Sequence, residues 1–129
     1  MAVSVLIIRI HSRLMWQQPL ANKYPSGYND SMFSILRTDE FDEWLSKLRD
    51  AKGKARIIAR IRSAELGNLG DVEPVGEGVR EMRVHYGPGY RVYFTKKGKA
   101  LIILLSGGDK SSQTRDIKRA KALAAAFKE

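Results

Sequence analysis

The rhythm of apolar and polar positions divides the chain near residue 32. Before it, "WQQPLANKYPSGYND" holds no sustained period, and from Met32 onward the pattern is regular. "MFSILR" reads as a strand. Thr38 or Asp39 then caps a helix, because a side-chain oxygen there can accept from the free amides of the first turn. Phe41, Trp44, Leu45 and Leu48 recur at the spacing of one helix face. "DAKGK" reads as a turn. A second helix is expected from Lys54 to Leu69, with Ile57, Ile58, Ile61, Ala64 and Leu66 inward and Gly67 and Gly70 bracketing its end.

The period then changes to two. "EMRVHY" and "YRVYFT" alternate, and "ALIILL" is apolar throughout, which marks a central strand covered on both faces. "GPG" at 87–89 and "KKGK" at 96–99 are short connections of the kind that close antiparallel hairpins. Ile117, Ala120, Leu123, Ala124 and Phe127 give a C-terminal amphipathic helix, with Ser111 or Ser112 at its N-cap position. The order is β-α-α-β-β-β-α. This is an α+β fold: a small curved antiparallel β-sheet with two N-terminal helices and a C-terminal helix. Residues 32–129 form the domain. Residues 1–31 read as an N-terminal extension from an upstream start, or alternatively as the source of an added edge strand at Val3 to Ile10. The first reading is preferred.

Folding the chain about Pro88 places Tyr86 opposite Tyr90, His85 opposite Arg91, Val84 opposite Val92 and Arg83 opposite Tyr93. Opposed residues share a face. Met82, Val84, Val92 and Phe94 then point toward the helices, while Arg83, His85, Arg91 and Tyr93 share the other face, extended by Glu81 and Thr95. A one-residue slip would scatter the set, so the expectation depends on the "GPG" turn.

Charge adds a class of partner. There are 23 basic and 14 acidic side chains, a formal charge of +9 on 129 residues. Such a surplus favours polyanions. With no cysteine and only His11 and His85, disulfides, thiolate metal sites and a histidine-rich metal cluster are excluded, and a cytoplasmic location fits. No metal and no cofactor is expected. No apolar stretch approaches the ~20 residues that span a bilayer, so no membrane partner is expected. "VSVLII" lacks a preceding basic segment and is rejected as a secretory signal.

"LLSGGDKSSQTRDI", residues 104–117, has the outline of a phosphate-handling turn. A Walker loop needs glycine directly before the lysine, and here Asp109 stands before Lys110. What remains is a pair of glycines that lets the backbone leave the sheet, a helix N-terminus, and Lys110 beside it.

Three segments together, "FDEWLSKLRD", "REMRVHYGPGYRVYF" and "LLSGGDKSSQTRDIKRAKALA", resemble the RelE/HigB superfamily of toxins from type II toxin–antitoxin modules, in its addiction module killer branch. The resemblance covers residues 32–129. It implies a RelE-like fold and a ribosome-dependent mRNA endonuclease silenced by a cognate antitoxin, a small helix-turn-helix protein. The family's basic sheet residues match Arg83 and Arg91, and the basic residue after its last strand matches Lys110. Two departures stand out. Glu81 occupies a position where some relatives have lysine. The C-terminal "DIKRAKALAAAFKE" lacks the tyrosine or histidine that many members carry there.

The chemistry such residues support is metal-free cleavage, in which a 2′-OH attacks the adjacent phosphate. Arg83, Arg91 and Lys110 would neutralise the phosphorane. His85 is the candidate acid or base, and Tyr93 a stacking or positioning group. Lys52, Lys54, Arg56, Arg60 and Arg62 on the second helix are a reservoir of charge for RNA backbone, as is "KRAK" at 118–121. Two alternatives keep the fold: a gyrase-inhibiting toxin like ParE, or a non-enzymatic nucleic-acid- or antitoxin-binding module.

Overall fold

The computed structural model of the chain describes residues 32–127 together with the two-residue strand Ile8–Arg9. In chain order the elements are β1 (Ile8–Arg9), β2 (Ser34–Thr38), α1 (Asp39–Lys47), α2 (Ala51–Glu65), β3 (Val72–Gly76), β4 (Val79–Val84), β5 (Tyr90–Lys97), β6 (Leu101–Asp109) and α3 (Gln113–Ala125), the last preceded by a 3-10 turn at Lys110–Ser112. The strands form one sheet in the order β1-β2-β6-β5-β4-β3. The fold is α+β, as the pattern predicts. β2 joins β6 in parallel, so the sheet is mixed, and the other pairings are antiparallel.

β6 is the central strand. Ile102 and Leu104 enter one core with Phe41, Leu45, Ile57, Ile61, Met82, Val84, Tyr90, Val92 and Phe94. Ile103 and Leu105 enter a second core with Val79, Tyr93, Ala120, Leu123 and Ala124. The first lies under α1 and α2, the second under α3. Thr38 is the residue that caps α1: its hydroxyl accepts from the Phe41 amide at 3.0 Å and donates to the Leu105 carbonyl at 2.7 Å.

The structure differs from the sequence pattern at several places, each for a physical reason. "DAKGK" is the first turn of α2 rather than a connection. Asp50 caps it by accepting from the Gly53 amide at 3.0 Å. Glycine is needed there because a Cβ would lie 2.5 Å from the Tyr90 ring. The helix ends at Glu65, and Leu66 is exposed rather than inward. β3 was hidden by Pro74. Proline is tolerated on an edge strand, and this strand is an edge with a bulge between Pro74 and Gly76. Its turn into β4 is the two-residue Glu77–Gly78, both at positive φ, which suits the twist of a hairpin.

The β4–β5 register is offset from the expected one by two residues. Val84 pairs with Tyr90, Arg83 with Arg91, Met82 with Val92 and Glu81 with Tyr93. Five residues, not three, make the loop, with Gly87 and Gly89 at positive φ. Because side chains repeat every two residues, this offset changes partners and leaves faces intact. The face carrying Arg83 and Arg91 is not open, however. α3 lies across it, so Tyr93 and Glu81 are fully buried and Thr95 is nearly so.

Candidate functional site

Arg83 and Arg91 stand directly opposite each other on the α3 side of the hairpin. Two cations in that relation repel. Glu81 lies between them and reverses the sign. Its Oε1 accepts from Arg83 Nε at 3.1 Å, and its Oε2 sits 3.5 Å from Arg91 Nε. Tyr93 Oη (3.0 Å) and Gln113 Nε2 (2.8 Å) also donate to Oε2. Burial pulls the Glu81 carboxyl upward, but the bonds from Gln113, Arg83 and Tyr93 and the nearby Arg91 charge outweigh it, holding the group below the usual glutamate value. The Arg83 guanidinium is raised in turn, chiefly by its bond to Glu81.

The arginines differ in exposure. The Arg83 side chain is 33% exposed and that of Arg91 12%. Arg91 also donates from Nη1 to the Gly89 carbonyl at 2.8 Å, which ties it to the hairpin turn. Lys110 is exposed beside the same turn: its amide donates to the Pro88 carbonyl at 3.4 Å. A shallow cleft of about 540 Å³ continues from Lys110 over Ser111, Gln113, Thr114, Arg115 and Lys118. Three cations thus line an open depression beside the arginine pair.

Gly107 and Gly108 do not start a phosphate turn. β6 runs through both to Asp109. A Cβ at Gly107 would collide with the Trp44 ring, and one at Gly108 with the Asp116 carboxylate. The glycines let α1 and α3 approach opposite sides of the strand end. Ser112 stands at the N-cap position of α3, as expected, but without a side-chain cap bond. The capping bond belongs to the 3-10 turn before it, where the Asp109 side chain accepts from the Ser111 amide at 2.9 Å in a capping box with Ser112.

The other predicted residues separate. His85 lies just past the end of β4, 74% exposed, with Nε2 2.5 Å from Asp71 Oδ2. That bond holds the Asp71 carboxyl below the usual aspartate value. His85 is therefore held toward the β3 side and not opposite Arg91. Tyr93 presents no ring face to solvent. Burial first, and the Glu81 bond second, push its phenol strongly up, so it is a fixed donor and not a stacking surface. Arg60 is a clamp: it donates to the carbonyls of Arg83, Leu69 (2.9 Å) and Asp71 (3.4 Å). Lys52 and Arg56 are exposed on α2 and Lys54 is half-buried; the Arg56 guanidinium lies 4.6 Å from the centre of the Tyr86 ring at the hairpin loop. The sequence reading passed over Gln113. Its one signal was a polar residue on the helix turn that follows Lys110. Among the described residues no group of acidic and imidazole side chains is arranged to hold a metal.

Fold and site together define a small basic α+β protein with paired arginines on a helix-covered hairpin. Residues 43–128 match the family described as phage derived protein Gp49-like (DUF891), and the chain belongs to that family, one associated with toxin–antitoxin modules. The match contains every residue of the site described above. A protein of Haemophilus influenzae (strain Rd), described only as uncharacterized, is 51% identical over 90 residues, covering 70% of this chain and 91% of its own length. No helix among the described residues is long and apolar enough to cross a membrane.

Proposed function

We propose that this chain is the toxin of a type II toxin–antitoxin module and acts in the cytoplasm as a RelE/HigB-like, ribosome-dependent mRNA endonuclease. The observation that carries the reading is the cross-strand Arg83–Arg91 pair with Lys110 beside its turn. Guanidinium groups fork onto phosphate oxygens, and a fixed pair suits the extra negative charge of a phosphorane. The 2′-OH attacks the adjacent phosphorus and the 5′-oxygen leaves. Lys110 steadies the phosphate or the departing oxygen. His85 is exposed but held by Asp71 toward the β3 side, so it acts as acid or base only once bound RNA turns its ring toward the arginine pair. Ribosomal positioning of the message supplies alignment. Lys52, Lys54, Arg56 and Lys118 contribute backbone contacts. A small helix-turn-helix antitoxin covers the site when the module is silent.

The test is expression of the full chain without a partner. Growth should stop and messages should be cut within translated frames. Arg83→Ala, Arg91→Ala and Lys110→Ala should each relieve the arrest. Arrest with intact messages removes the nuclease reading. If DNA damage signalling accompanies it, a gyrase target replaces mRNA. Arrest that survives all three substitutions removes the arginine site.

A further inference from the structure

We propose that Glu81 is a positioning residue for this site: its buried carboxylate holds Arg83 and Arg91 side by side so that both guanidinium groups serve one phosphate. The proposal rests on the nuclease reading above and deepens it.

Directly opposed arginines would otherwise splay apart. Glu81 is fully buried, where a carboxylate is costly unless its oxygens are satisfied. Here they are satisfied from three elements: Arg83 on β4, Tyr93 on β5 with Arg91 beside it, and Gln113 on α3. Tyr93 and Gln113 fix the carboxylate itself. The arginines therefore inherit a position set by buried groups, which an exposed ion pair could not give them. Arg91 is held a second time through the Gly89 carbonyl. Buried ion clusters are a weak source of stability, and apolar replacements of equal volume often serve as well. What a carboxylate supplies here, and an apolar side chain would not, is orientation of two guanidinium planes.

The experiment compares the wild-type chain with Glu81→Gln and Tyr93→Phe. It follows translation-coupled cleavage of a defined message and the Nε–H resonances of arginine labelled with ¹⁵N at Nε. In Glu81→Gln, turnover per folded molecule should fall on the order of 10²-fold, the cost of a small misplacement at a reacting centre. KM for RNA should hold or fall, because a negative charge has left a polyanion site. The Arg83 Nε–H, bonded to Glu81 in the wild type, should exchange faster in the variant. Tyr93→Phe keeps the ring in place and removes one donor to Glu81 but not its charge. It should move turnover and the Arg83 signal the same way by less and leave KM alone; it carries the test if Glu81→Gln does not fold. A merely structural glutamate would lower Tm and leave turnover per folded molecule and KM alone. Turnover within about twofold of wild type in the folded variants overturns the proposal. If the wild-type chain cuts no message, the nuclease reading falls. The Arg83 signal then decides the positioning role by itself, and an unchanged signal in the variants overturns it.

Discussion

The two faces of the sheet solve different problems with the same strands. On the α1–α2 side the fully buried residues of β4, β5 and β6 are apolar or aromatic, and Gly107 is there to admit Trp44. On the α3 side the apolar contacts stop partway along. Val79, Tyr93, Ile103 and Leu105 meet Ala120, Leu123 and Ala124, and beyond them Glu81, Arg83, Arg91 and Gln113 form a charged cluster at the hairpin end. The first face gains from removing area from water, a non-directional effect. The second gives up part of that gain to hold charges at chosen positions, and it is the one beside an open cleft.

The largest effect that breaks the comparison is expected on the first face. Phe41 is fully buried there. Phe41→Ala should cost about 3–5 kcal/mol in unfolding free energy, from lost transfer energy and the cavity left behind. Denaturant titration measures it. Cleavage per folded molecule should stay at the wild-type level, since Phe41 touches none of the charged cluster.

Arg91→Ala should do the reverse. On the proposed nuclease reading, loss of one preorganised cation at the developing negative charge should lower turnover by ~10²–10³, about 3–4 kcal/mol of transition-state stabilisation. The thermal midpoint should move little by comparison. If Arg91→Ala and Phe41→Ala instead change activity and stability in the same proportion, the two faces do not divide the work.

This division was only half readable in the sequence. The periodicity of two placed Arg83 with Arg91 and Met82 with Val84, and that assignment survived a register offset of two because faces repeat at the same interval. What α3 covers was not readable. Its apolar stripe announces an amphipathic helix, but a stripe does not say which sheet face receives it. Tyr93 and Glu81 looked exposed for that reason. Likewise Gly53 suggested a turn, because the Tyr90 ring that requires a glycine in α2 comes from 37 positions away. Pro74 argued against β3 since nothing local says that a strand will lie at an edge. Arg60 read as surface charge, because the carbonyls it clamps belong to β4 and the loop before β3.

The tyrosines sharpen the contrast by pH. Tyr90 belongs to the first face and donates to Asp50 at 2.7 Å; Tyr93 belongs to the second and donates to Glu81. Burial foremost, then the carboxylate partner, pushes the Tyr90 phenol from 10.0 to about 12, and Tyr93 moves the same way. The folded-state value is raised, so the stabilisation is complete below pH 10. Above it the unfolded chain releases protons that the folded chain retains, and stability falls as pH climbs through the folded value. For Tyr90 the loss should be on the order of 2 kcal/mol by pH 12. Denaturant midpoints from pH 8 to 12 check it. Tyr90→Phe should flatten part of the decline, and Tyr93→Phe another part.

The smallest effect is expected where the two layers touch. Arg119 of α3 donates from Nε and Nη2 to the Glu40 carboxylate of α1 at 2.7–3.1 Å, the one bidentate link described between the helix of one face and a helix of the other. Its geometry is that of a strong pair, and the bond to Glu40 raises the Arg119 guanidinium above its usual value. Exposure decides against it. The side chains are 51% and 37% exposed, so water already satisfies both ions and salt screens them. Glu40→Gln should therefore cost under about 1 kcal/mol at low ionic strength, and less in molar salt. Cleavage should not change. A loss of several-fold in turnover, with stability intact, would mean that the layers are coupled and that α1 helps hold α3 over the arginine pair. The faces would then be one device rather than two.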